Sequence, residues 1–171
     1  MHEELVIETI QTATARVFST MLGKELAPVA PYKEIENEAP SEGVIAQISL
    51  VGACLITSLV VCSAEVARSI GAAMLMEDCP EVNAEVLDAM AEIANMIMGN
   101  VKTDLDAQLG EVNLSIPTVT YGLNFSVHNN SKRWIVVPFI VEEQSLLVKV
   151  CFEPAFEARR PLAERVRQTV A

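Results

Sequence analysis

Residues 43–63, "GVIAQISLVGACLITSLVVCS", decide the fold class. The stretch is rich in β-branched residues, which favour a pleated surface, and Gly52 interrupts it near the middle. Two antiparallel strands meeting at that glycine is the simplest reading. Upstream, Val6, Ile10, Ala13, Val17 and Met21 recur at helical spacing, so a first helix is predicted over 3–22 with Gly23 as its C-cap. The connection "KELAPVAPYKEIENEAPSEG" holds three prolines and many charges and reads as irregular chain or edge strand. Downstream, Ser63 is an N-cap for a helix over about 64–76, which Asp78 and Pro80 break. Asn83 caps a long third helix predicted to end near Gly110. The last third, "VNLSIPTVTYG", "NFSVHN", "RWIVVPFIVEE" and "SLLVKVCFE", is strand-like, with Glu143-Gln144-Ser145 as a hairpin loop. Helix, two strands, two helices, then three or four strands predict an α+β fold, a mostly antiparallel sheet with helices packed on one face.

The chain has 171 residues, half of them apolar, which suits one domain with one core. That domain is assigned to residues 1–154. The tail, 155–171, differs: Arg159, Arg160, Arg165 and Arg167 stand against Glu157 and Glu164, and Leu162, Val166 and Val170 have the spacing of a short amphipathic helix. It is either a frayed helix packed on its own domain or a partner-binding arm. No apolar run is long enough for a bilayer, and "MHEELVIETI" is acidic where a signal peptide would be basic, so a cytoplasmic location is expected. A formal charge of −11 argues against nucleic acid and against anionic membranes, both of which require basic groups.

Cysteine and histidine chemistry is sparse. Cys54, Cys62, Cys79 and Cys151 form no C-x-x-C pair and read as small buried thiols. His2 and His128 are isolated, which leaves little for a zinc site or a histidine-based triad.

The long helix carries an unusual line. Within "EVLDAMAEIANMIMGNVKTDL", residues 85–105, Asp88, Glu92, Asn95 and Gly99 are spaced by four, three and four. On a helical wheel they fall within an arc of about 60°. Val86, Met90, Ile93, Ala94, Ile97 and Val101 cluster on the opposite side. The line therefore points outward. Any surface helix has a polar face, and solubility is one reading. A face built only for solubility would use Lys, Gln or Arg, however. Asp and Glu four apart repel slightly, and Gly in a helix costs ~1 kcal/mol relative to Ala. Function is the other reading. No nucleophile shares the stripe. An Asn amide offers a donor and an acceptor with which to hold a water, and a carboxylate beside it can clamp a cation on a partner. Those are the tasks for hydrolysing a phosphoryl group already activated elsewhere. Asn100 and Asp104 sit at the edge of the apolar arc: either the helix bends after Gly99 or its last turns leave the core.

Asp88-x3-Glu92-x2-Asn95, then 21 residues and Pro117, resembles the signature of the CheC/CheX/FliY phosphatases of bacterial chemotaxis, and the surrounding sequence resembles CheX most. The resemblance spans roughly residues 3–153. It implies a hydrolase that removes the aspartyl phosphate of a CheY-like response-regulator receiver. Asn95 would orient the attacking water and Glu92 would pair with the receiver's lysine. Asp88 and Gly99 would support the motif, and Pro117 would shape the following strand. It implies no cofactor or metal of the protein's own, Mg²⁺ on the receiver, and a homodimer joined through its sheets. CheC and FliY resemble two such sites in one chain. Here the first helix shows only Glu4-x3-Glu8-x2-Gln11, with Pro31 only 20 residues on, and reads as a chance echo, a second site being the alternative. The alternative to a phosphatase is a non-catalytic adaptor of the same fold that binds a receiver or another protein.

Overall fold

The structure, a computed structural model, describes residues 3–34, 42–123 and 133–153. His2, His128, the segment "NFSVHN" beyond residue 123 and the tail 155–171 lie outside the described residues.

The elements run α1 (Glu3–Val17), β1 (Ala27–Pro28), β2 (Tyr32–Glu34), β3 (Glu42–Gly52), β4 (Leu55–Cys62), α2 (Ala64–Leu75), α3 (Ala84–Asp104), α4 (Asp106–Leu109), β5 (Val112–Leu114), β6 (Thr118–Leu123), β7 (Trp134–Val141) and β8 (Gln144–Glu153). Every ladder is antiparallel, in the order β1-β7-β8-β4-β3-β5, with β2 also along β7 and β6 also along β3. The helices pack on one face, where they form the main core with Val44, Ala46, Ile48, Ile56, Val60, Val137 and Val148. This is the α+β architecture expected from the sequence. Ile45, Leu59, Val61, Trp134, Val136 and Cys151 make a separate cluster whose members all stand on strands; their places alternate with those of the main core, so they occupy the other sheet face. Lys149, buried and in register with Leu59, pairs with Glu34 at 2.7 Å.

The sheet reads alike from its two edges. Equating β1/β2 with β5/β6, β7 with β3 and β8 with β4 turns the strand order into itself. β5 pairs the end of β3 and β6 its beginning, as β1 and β2 do on β7. In each half a long helix, α1 or α3, precedes the edge strands. Two pseudo-symmetric halves thus exchange their edge strands, a relation hidden in the sequence, where no long repeat is visible.

Four local expectations need correction. Met21 is exposed and Leu22 buried, because residues Phe18–Leu22 form a π-turn that adds a residue to the helical turn and rotates the pattern by one position. The long helix ends at Asp104, not near Gly110; Leu105 leaves helical geometry and a separate short helix, α4, runs to Leu109. The hairpin loop is Glu142–Glu143, with Gln144 already paired to Val141; both loop residues have positive φ, 47° and 67°, as a two-residue type I′ turn requires. Of the four cysteines, all free thiols, only Cys62 and Cys151 are buried; Cys54 and Cys79 are half-buried. The expected caps are present: Ser63 Oγ accepts from Val66 N and Asn83 Oδ1 from Val86 N at 2.9 Å. Gly52 is required at its turn, since a Cβ there would lie 2.2 Å from Glu111 O.

Candidate functional site on the outer line of the third helix

α3 is held by its back face. Val86, Ala89, Met90, Ile93, Ala94, Ile97, Met98 and Val101 are all buried. Burying a side chain of Val, Ile or Met size is worth about 1.5–3 kcal/mol, so the six larger ones together contribute on the order of 10 kcal/mol. That outweighs the ~1 kcal/mol penalty of Gly99 and the smaller one of Asn95. The anchored face therefore leaves the outer face free to carry residues that do little for the helix.

On that face Asp88 and Glu92 are exposed, and Asn95 and Gly99 are half-buried. Thr103 continues the line one turn on, donating from Oγ1 to Gly99 O at 3.0 Å. Among the described residues, no side chain forms a hydrogen bond or ion pair with Asp88, Glu92 or Asn95. Two carboxylates and an amide stand along one stripe, uncompensated and open to a docking molecule. The last turns of the helix stay in the core: Val101 and, just past the helix end, Leu105 are buried, and Asp104 pairs with Arg16 of α1 at 3.3 Å.

Pro117 comes to the same edge. β5 and β6 form one broken edge strand along β3, interrupted at residues 115–117. Proline has no N–H for a ladder, so it fits the break. Ser115 bridges it: its N–H donates to Ser49 O at 2.8 Å, and its Oγ accepts from Ser49 N at 3.0 Å. Leu114, just before the break, is the nearest atom set to Gly99, 3.8 Å from where a Cβ would stand. The structure thus gathers Asp88, Glu92, Asn95 and Gly99 on one line and sets Pro117 in the edge strand that packs against α3. Reading the sequence alone overlooked Ile116, which is 89% exposed; its position before the motif proline was the available signal.

A cavity of about 310 Å³ lies elsewhere, between α2, the α2–α3 connection and the β7–β8 turn, lined by Glu65, Arg68, Ser69, Asp78, Cys79 and Glu142. Glu142 accepts there from Lys24 and from Ser69 Oγ, which hold its carboxyl below the usual range. No residue of the α3 line borders this cavity. Among the described residues no group of three or more His, Cys, Asp or Glu is placed to hold a metal ion, and no helix is long and apolar enough to cross a membrane. Burial pushes the Cys62 thiol up to about 12, well away from a nucleophilic thiolate.

Residues 44–140, more than half of the chain and including the whole α3 line and Pro117, match the sequence profile of the family described as "Chemotaxis phosphatase CheX". The chain belongs to the CheX family. Solved structures agree. A CheC-like superfamily protein from Shewanella sp. PV-4 is 26% identical, with a TM-score of 0.79 over 90% of this chain and 100% of that one. The chemotaxis protein CheX from Vibrio vulnificus is also 26% identical, with a TM-score of 0.77 over 86% of this chain and 99% of that one. The CheX–CheY–BeF₃–Mg²⁺ complex from Borrelia burgdorferi shares the fold at 20% identity, with a TM-score of 0.72 over 87% of this chain and 98% of the matched one. No curated protein matches the chain significantly.

Proposed function

We propose that this CheX-family protein hydrolyses the aspartyl phosphate of a CheY-like receiver and that the outer line of α3 does so. One observation carries the reading: Glu92 and Asn95 lie a turn apart on an open helix face, without internal partners, anchored by a fully buried back face. Three further points support it. The family is a phosphatase family. A CheX from Borrelia burgdorferi has been seen bound to CheY with BeF₃ and Mg²⁺. The α3 line lies on an open helix face away from the cavity, as suits a macromolecular substrate rather than a small one.

In this reading α3 docks across the receiver's phosphorylation site. The Asn95 side-chain oxygen accepts a hydrogen bond from a water and aims its oxygen at phosphorus, opposite the aspartyl oxygen. A P–O bond forms to the water and the P–O bond to the aspartyl carboxylate breaks, releasing inorganic phosphate and the free carboxylate. Positioning supplies most of the acceleration, because a held water replaces a bimolecular encounter. Glu92 pairs with a receiver cation, a charge-assisted contact that fixes register. Asp88 extends the acidic line, and Pro117 keeps the edge strand beside the helix open and short. The receiver brings the Mg²⁺ and the phosphoryl group, so this chain supplies only orientation. A homodimer and a cytoplasmic location belong to the same proposal.

The test is the lifetime of phosphate on purified receivers from the cell of origin, with Mg²⁺, with and without this protein. Shortening in proportion to protein concentration is expected. Binding without any shortening would make it an adaptor instead.

A further inference from the structure

Gly99 is a glycine that its own fold does not need. Its φ is not in the left-handed region, and a Cβ would meet only Leu114 Cδ1, at the ordinary contact distance of 3.8 Å. Gly52 and Gly71 differ: a Cβ there would come within 2.2 Å of Glu111 O and 2.9 Å of Val86 Cγ2. Alanine at 99 would fit and would favour the helix. A bare Cα at an outward position, one turn beyond Asn95, admits close approach by something outside the chain.

Ile116 is the second unexplained feature. It is 89% exposed, yet its mount is stiff. Ser115 ties the segment to both polar atoms of the Ser49 backbone, its Oγ donates to Ile116 O at 3.2 Å, and the Pro117 ring restricts Ile116 to extended backbone. One residue, Ser115, separates it from Leu114, so its Cα lies within about 7 Å of the residue that faces Gly99. A large apolar side chain displayed on a tied-down segment beside the α3 line suits contact with a partner.

We propose that Gly99 and Ile116 form the seat on which the receiver docks. Main chain of the receiver beside its phosphorylated aspartate descends onto the bare Cα of Gly99, and an apolar side chain of the receiver packs on Ile116. The depth at Gly99 sets how close Asn95 stands to phosphorus; Ile116 supplies affinity. This rests on the phosphatase reading and adds what determines fit.

Gly99→Ala and Ile116→Ser in the full chain test it, with a receiver carrying either aspartyl phosphate or beryllofluoride and Mg²⁺. Gly99→Ala should lower kcat roughly 10-fold or more, because a displacement of about 1 Å costs up to 10²-fold, while its unfolding midpoint equals or exceeds the wild type's. Ile116→Ser should raise KM about 10-fold with kcat within about twofold. Gly99→Ala with wild-type kcat, or with a lowered midpoint, overturns the seat, as does Ile116→Ser with unchanged KM. A wild-type protein that leaves phosphate lifetime unchanged refutes the phosphatase reading instead. The Ile116 half of the seat then stands only if Ile116→Ser binds the beryllofluoride-loaded receiver about 10-fold more weakly than wild type, and the Gly99 half falls with the phosphatase reading.

Discussion

The two pseudo-symmetric halves place their long helices alike, and each helix bears an outward line of two acids and an amide. On α1 these are Glu4, Glu8 and Gln11, with Ala15 one turn on; on α3 they are Asp88, Glu92 and Asn95, with Gly99 one turn on. Glu4 and Glu8 are exposed and Gln11 half-buried, matching the states of their α3 counterparts. Pro31 precedes edge strand β2 as Pro117 precedes β6. The echo in the first helix thus stands at the place in its half that the α3 line occupies in the other. Exposure does not separate the acids and amides of the two lines; chemistry does. Gln reaches one methylene further than Asn and has one more rotatable bond, so it holds a water less firmly. Ala15 carries the Cβ that Gly99 lacks. The fold offers two comparable helix faces, and only the second carries the Asp, Glu, Asn and Gly of the motif.

Substitution in matched pairs sharpens this. Asn95→Ala should slow receiver dephosphorylation by roughly 10²–10³-fold, as removal of a positioned polar group at a reaction centre typically does, whereas Gln11→Ala should stay within about twofold. Stopped assays of receiver phosphate, with circular dichroism to confirm the fold, read both. Equal losses would mean that α1 also works. Glu92→Ala should cost on the order of 30-fold in kcat/KM, from a receiver cation left without its partner, against about twofold for Glu8→Ala. Raising the salt concentration should narrow the first difference.

The smallest effect concerns the two hairpins, β3–β4 and β7–β8, which also correspond. The first turns at Gly52; the second turns through Glu142, whose carboxyl is held down by hydrogen bonds from Lys24 and Ser69. Its folded-state pKa lies below the ordinary 4.5, so native protein binds the proton less readily than unfolded chain. The contribution is fully present above the unfolded value and fades as pH falls through the folded one. Glu142→Gln should lower the unfolding midpoint slightly at pH 7, and the gap should close in acid as pH falls below the unfolded value and through the lower folded one. A gap independent of pH would assign the effect to the turn's backbone instead.

Much of the architecture was legible because it is local. The 3.6-residue rhythm of Val86, Met90, Ile93, Ile97 and Val101 identifies the buried face of α3, and Ser63 and Asn83 mark helix starts through side-chain caps. The outward line followed from the same rhythm. What remained hidden depends on contacts between distant residues or on single-turn geometry. The π-turn at Phe18–Leu22 shifts the pattern by one residue without a sequence signal. The stop at Leu105, a buried apolar residue followed at once by α4, breaks no local sequence rule. The exchange of edge strands between halves is a pairing of residues far apart in the chain. Gly99 was visible as a costly choice, but the room for a Cβ beside Leu114 and the exposure of Ile116 required coordinates.

The most direct test watches the two amides themselves. Side-chain NH₂ resonances of Asn95 and Gln11, assigned by substitution, can be followed as a receiver loaded with beryllofluoride and Mg²⁺ is added. The account predicts that the Asn95 signals shift or broaden as the complex forms while those of Gln11 hold their positions. Unperturbed Asn95 signals in a formed complex, or Gln11 responding in its place, would contradict it.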